Sequence, residues 1–171
     1  MGDSKATATG ALPTSAKDII AALNLQPHTE GGWFTETFRD SASFPTPSGP
    51  SRTRSHSTCV YYLLARGEQS HWHKVDAVEV WHYYAGAPLR LRLWKEGFAE
   101  GPAESSVAAV REVVLGGDIV GGERPQVVVE KGEWQSAVSL GEWTLVGCTV
   151  SPGFTYEGFV VAKNGWEPGQ N

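Results

Sequence analysis

Residues 67–86, GEQSHWHKVDAVEVWHYYAG, hold most of the side chains in this chain that can move a proton or ligate a cation. Two imidazoles, His71 and His73, are followed by Glu79, Trp81 and Tyr83. All five positions are odd, so a continuous β-strand sends these side chains to one face, an unusually polar one for a core. Imidazole titrates near neutrality, which makes His73 a candidate general base, with Glu79 or Tyr83 to orient it or return a proton from the opposite side. Burial among Trp72, Trp81, Tyr83 and Trp134 shifts such pKa values in a direction set by the charges that pair there. This layout suits epimerisation or isomerisation next to a carbonyl. Three alternatives stand beside it. His71, His73 and Glu79 form a two-His, one-carboxylate set for a metal-dependent oxygenase or lyase; the barrel holds a ligand without chemistry; or His73 and Glu79 pair with each other for structure alone.

The elements that must position these residues follow from composition and periodicity. A chain of 171 residues with 40% hydrophobic and 19% charged residues is the size of one globular domain. The expected organisation is a flexible segment at residues 1–13, one domain over 14–167 and a tail at 168–171. Lys and Arg number 14 against 19 Asp and Glu, for a net charge of −5, which leaves no electrostatic footprint for nucleic acid. Small molecules and further copies of the chain are the expected partners. Cys59 and Cys148 lie in apolar runs and read as small buried hydrophobes, and such sparse cysteine suits a reducing compartment. No apolar run approaches the roughly 18 residues of a membrane helix, and MGDSKATATGALPTS lacks the apolar core of a secretory signal. A cytoplasmic protein without membrane contact is expected.

In chain order, TSAKDIIAALNLQP predicts a short amphipathic helix with Thr14 or Ser15 as N-cap and Pro27 beyond its end. HTEGGWFTETFRD then alternates as a strand, opened by Gly31 and Gly32, which allow positive φ or close backbone approach. Glu30, Glu36 and Arg39 resemble the sugar-epimerase segment RGxFxE, and that resemblance implies that they border a pocket or a dimer contact, whereas His28 reads as a turn residue. The Pro- and Ser-rich segment 41–54 reads as a long mobile loop able to gate a ligand. From His56 onward about ten short runs rich in β-branched and aromatic residues, punctuated by Gly, Pro and Asp, predict an all-β barrel or double-sheet jelly roll. VAAVREVVLGG is read as strand because Val dominates it. Trp81 and Trp134 are expected to wall a ligand cavity with Glu36 and Gln135, and SPGF at 151–154 reads as a tight turn.

The spacing from Gly67 through His73 and Glu79 to Gly86 resembles the first motif of the cupin barrels, with Val75 where the second metal-binding His belongs. Together with HTEGGWFTETFRD, CVYYLL, GERPQVVVEKGEWQSA and LVGCTVSPGFTYEGF, it resembles the DUF985 group of cupins (cupin_5), and more distantly the dTDP-sugar epimerases of the RmlC type. The resemblance implies a double-stranded β-helix, commonly a homodimer, and little about activity. The second cupin motif aligns on Glu130, Lys131, Gly132 and Gln135, with Glu130 in place of Pro, Gln135 in place of the third His ligand and Ser139 in place of Asn. A cupin metal such as Fe, Mn, Ni or Zn would thus rely on His71, His73, Glu79 and Gln135. Amide oxygen is a poor ligand for such ions, so the chemistry expected without a cofactor is proton transfer at His73.

Overall fold

The computed structural model describes residues 15–46, 49–96 and 109–169. The segment 1–13 and the last two residues of the expected tail lie outside them. A helix α1, Ala16–Ala22, starts where Ser15 accepts a hydrogen bond from the Asp18 amide at 3.3 Å. It ends before Asn24, which takes a positive φ of 53°. Thirteen strands follow among the described residues. They are β1 Gln26–Pro27, β2 Trp33–Arg39, β3 Ser43–Thr46, β4 Gly49–Ser55, β5 Thr58–Ala65, β6 Gln69–Val75 and β7 Val78–Gly86. After them come β8 Leu89–Trp94, β9 Arg111–Leu115, β10 Gln126–Val129, β11 Trp134–Ser139, β12 Trp143–Ser151 and β13 Phe159–Val161.

All but β3 and β4 form two antiparallel sheets in the order β1-β2-β5-β12-β7-β10 and β13-β6-β11-β8-β9. Their inner faces share one core. Tyr62, Leu64, Trp81, Val127 and Val146 from the first sheet meet Leu89, Leu91, Leu93 and Ala137 from the second. Strand β8, LRLRLW, shows why: its three Leu are fully buried while Arg90 and Arg92 turn outward, each buried Leu contributing about 1.5–3 kcal/mol. Ile19 of helix α1 and Leu25 just beyond it pack against Leu63 on the outside of β5. A third cluster of Val75, Ala77 and Val150 with Phe154 and Phe159 lies apart from both, and all but Ala77 line the cavity described below. The expected all-β jelly roll with a short N-terminal helix is the observed architecture.

Segment 41–54 departs from the expected loop. Its β3 and β4 pair as a separate hairpin, with a register shift at Pro45/Thr46 where proline cannot donate to a ladder. Arg54 pins the hairpin to the body, donating to both carboxylate oxygens of Asp76 at 2.8–2.9 Å and to the Gly153 carbonyl at 2.6 Å. None of the described residues of this hairpin lines the cavity.

Candidate functional site

The cavity encloses about 310 Å³ between the sheets. Its walls are Phe34, Val60, Val75, Val150 and Phe159; Glu30, Thr58, His73, Glu79 and Cys148 supply its buried polar groups, and Glu36, Arg39, Tyr156 and Glu157 its exposed ones.

His73 owes its position to an irregularity in β6. Gln135 pairs with His73 and Ala137 with Ser70, so two residues of β6, His71 and Trp72, stand opposite the single Ser136. This bulge breaks the alternation expected of a continuous strand. Ser70 and His73 consequently both point inward, and the His71 side chain is exposed. The expected grouping of His71 with His73 and Glu79 is corrected on that ground. The bulge also frees the His71 backbone to organise the site. Its amide donates to the Glu30 carbonyl at 2.8 Å, and its own carbonyl accepts from His73 Nδ1 at 2.8 Å. Since a carbonyl only accepts, Nδ1 carries the proton and Nε2 is the nitrogen with a free lone pair in the neutral ring.

Nε2 lies 3.4 Å from Glu30 Oε2. Glu30 arrives on the turn between β1 and β2, where the Gly31 amide bonds the His28 carbonyl. Gly31 has a φ of 104°, and a Cβ there would fall 2.2 Å from the Gln69 carbonyl oxygen, so only glycine lets the turn press against β6. Ser70 Oγ donates to Glu30 Oε1 at 2.9 Å, and His28 Nδ1 stands 3.4 Å from Glu30 Oε2. Burial alone would raise the Glu30 carboxyl, but the His73 and His28 rings and the hydrogen bonds from His28 and Ser70 outweigh it and hold Glu30 below its ordinary range. His73 therefore partners Glu30 and not Glu79. His28, expected only to cap a turn, is a member of the site, and nothing in the spacing signalled it.

Glu79 behaves in the opposite way. Burial raises its carboxyl, the Glu30 charge adds to the rise, and His73, Gln135 and the Cys148 thiol oppose it without cancelling it. Gln135, wholly buried, donates its amide to Glu79 Oε2 at 2.5 Å, while its oxygen accepts from the Trp81 indole N–H at 2.8 Å. The indole can only donate, so the orientation of the amide is determined. Gln135 and Trp81, expected to line the cavity, stand behind Glu79 and fix its carboxylate. Cys148 lies beside Glu79, its thiol pushed well above the usual range by burial and by the Glu79 and Glu30 charges.

Two other expectations are corrected. Tyr83, expected beside His73, packs against the main core and donates its hydroxyl to the Gly86 carbonyl at 2.6 Å, toward the far end of β7 from Glu79. Trp134 lies outside the cavity, 4.6 Å from the Trp166 ring and with the Lys74 ammonium over its face. Glu36 does border the cavity, bound by Arg39 through two hydrogen bonds of 2.6 and 2.9 Å. SPGF and the residues after it do more than turn, since Phe154, Thr155, Tyr156 and Glu157 all line the opening.

The donor set does not fit a cupin metal. Val75 is apolar, Gln135 turns its amide nitrogen toward Glu79 and commits its oxygen to Trp81, and the His71 side chain lies on the other face. Among the described residues no group of three His, Cys, Asp or Glu side chains is arranged to hold a metal ion.

The family model Cupin_5, described as Cupin superfamily (DUF985), matches residues 17–162. The chain belongs to this family. Among solved structures, a protein from Shewanella oneidensis is 33% identical, with a TM-score of 0.75 over 88% of this chain and 86% of that one. A hypothetical protein from Leishmania major is 29% identical, with a TM-score of 0.74 over 87% and 88%. A dTDP sugar isomerase from Desulfovibrio desulfuricans shares the fold at 10% identity and a TM-score of 0.52, covering 82% of this chain and 88% of its own. No curated protein matches the chain. No described helix is long and apolar enough to cross a membrane.

Proposed function

We propose that this family member binds a small carbonyl compound in the cavity and moves a proton at the carbon next to the carbonyl, as a metal-independent isomerase or epimerase. The observation that carries the reading is the fixed His73 tautomer. With Nδ1–H held by the His71 carbonyl, Nε2 is the nitrogen left to accept the substrate proton, and the Glu30 carboxylate 3.4 Å from it stabilises the imidazolium that forms. As the C–H bond breaks, its electron pair passes toward the carbonyl oxygen as an enolate. Glu79, held above the usual carboxyl range, donates the proton that re-forms a C–H bond. Two buried carboxyls pushed in opposite directions flank the imidazole, Glu30 as counter-ion to the base and Glu79 as the acid.

The test is solvent deuterium wash-in, followed by NMR, across a panel of small aldehydes, ketones and reducing sugars. At least one compound is expected to exchange the proton next to its carbonyl in the native protein and to lose that exchange in His73→Gln. A compound retained tightly with no exchange supports the second reading, a binding protein without turnover, which the largely apolar wall favours. Exchange that survives His73→Gln refutes His73 as the base.

The outer face of the six-stranded sheet also supports a homodimer. It exposes Phe38, Tyr84 and Val128, with Tyr61 packed edge-on against Tyr84 at 5.9 Å.

A further inference from the structure

The cavity carries a charge pattern that restricts its ligand. Four carboxyl groups line it, Glu30, Glu36, Glu79 and Glu157, against one cation outside the imidazoles, Arg39. Arg39 is already committed. Nε and Nη2 bind the two oxygens of Glu36, and Nη1 donates to the Phe154 carbonyl at 3.3 Å. Arg54, on the neighbouring hairpin, is likewise held by Asp76 and the Gly153 carbonyl. A phosphate or carboxylate entering the cavity meets no uncommitted guanidinium or ammonium among the described lining residues.

The aromatic residues at the same opening point to the opposite charge. Phe154, Tyr156 and Phe159 form a ring cluster with centroids 5.2–6.3 Å apart, and His28 joins Phe159 at 5.7 Å and Phe34 at 4.5 Å. Tyr156 is 60% exposed, next to the exposed Glu157. Aromatic faces beside carboxylates attract organic ammonium groups through the ring quadrupole together with charge. Each feature alone is ordinary. Their joint placement around one open cavity, with the one arginine among the described lining residues neutralised, defines a ligand class.

We propose that the cavity takes a small organic cation, an amine or quaternary ammonium with an apolar body, and discriminates against phosphorylated and carboxylate compounds. This rests on the reading of the cavity as the ligand site and narrows its substrates to amino- or ammonium-bearing carbonyl compounds. Sugar nucleotides fall outside that class, although one sharing the fold is a dTDP sugar isomerase.

The test uses three unreactive probes of similar shape: choline, its uncharged carbon isostere dimethylbutanol, and dimethylbutanoate. Calorimetry and ligand-observed NMR on the full chain are expected to rank choline first by about tenfold over the alcohol, with the anion weakest. Glu157→Gln should weaken choline several-fold and leave the alcohol unchanged. Glu36→Gln, which releases Arg39, should shift the preference toward dimethylbutanoate. Dimethylbutanoate binding as tightly as choline in the native protein overturns the proposal, as does a choline affinity insensitive to both substitutions. Because none of the probes carries a carbonyl, deuterium wash-in is scored separately. Persistent wash-in with an anion-preferring cavity refutes the charge assignment alone, and failure of all three probes to bind overturns the cavity as a ligand site as well.

Discussion

Replacing Gln135 by Leu tests the relay that holds Glu79. The side chain is wholly buried and joins the Trp81 indole at 2.8 Å to the Glu79 carboxylate at 2.5 Å. Leu fills a similar volume and can do neither. The stranded indole N–H costs about 1–3 kcal/mol and the lost bond to a carboxylate about 1.5–3 kcal/mol. The added apolar burial returns about 1–2 kcal/mol. The net loss is about 3 kcal/mol. At a urea m-value of about 2 kcal/mol/M, the midpoint falls by about 1.5 M with an unchanged slope. Urea unfolding followed by tryptophan fluorescence reads this directly. In a double-mutant cycle, Trp81→Phe removes the stranded N–H, so the pair should cost about 1–3 kcal/mol less than the sum of the single changes. A loss below about 1 kcal/mol for Gln135→Leu, or strict additivity with Trp81→Phe, refutes the relay.

The two carboxyls predict opposite pH dependences. Glu79 is raised above its ordinary 4.5, so the stability it contributes is complete below that value and is lost as pH rises through its folded-state pKa. Glu79→Gln should flatten the stability profile above pH 4.5. Glu30 is lowered, so its contribution is present above 4.5 and is lost as pH falls through its folded-state pKa, and Glu30→Gln should flatten the acid limb instead. Thermal melts across pH measure both slopes, and profiles parallel to the native one would contradict the assignments. For the dimer, light scattering should give twice the 18.5 kDa chain mass. Tyr84→Glu, which places a charge on the exposed sheet face, should return it to the monomer; a native protein that runs as a monomer ends that proposal.

Strand chemistry was plainly legible in sequence. The alternation of LRLRLW and of VEVWHYYAG predicts which side chains enter the core, and Glu79 and Trp81 do so. Parity failed at His71 because a bulge leaves no mark in composition; it is a property of how β6 meets β11, visible only once the strands are paired. The His73 partner was missed for a related reason. Glu30 lies 43 positions earlier and reaches His73 only through the fold. A signal was present in the two glycines directly after it, which mark a backbone pressed against a neighbour. Tyr83 misled because identity and parity both suited a catalytic role, while its distance along β7 from Glu79 carried it out of reach. Segment 41–54 has the composition of a loop, and the anchor that orders it, Arg54 on Asp76, is a contact that proline and serine counts do not register.

The extra residue in β6 has a chemical meaning beyond the bend it makes. In an unbroken strand, His71, His73 and position 75 would line up inward and offer the barrel a pair of imidazoles, the raw material of a coordination sphere. One inserted residue turns His71 to solvent and brings a serine hydroxyl inward in its stead, against the carboxylate that faces His73. It thereby exchanges a potential ligand pair for an imidazole facing a carboxylate. A single-residue slip in one strand is thus enough to exchange two inward imidazoles for one imidazole and a hydroxyl, with no change in the sequence of the strands that flank it.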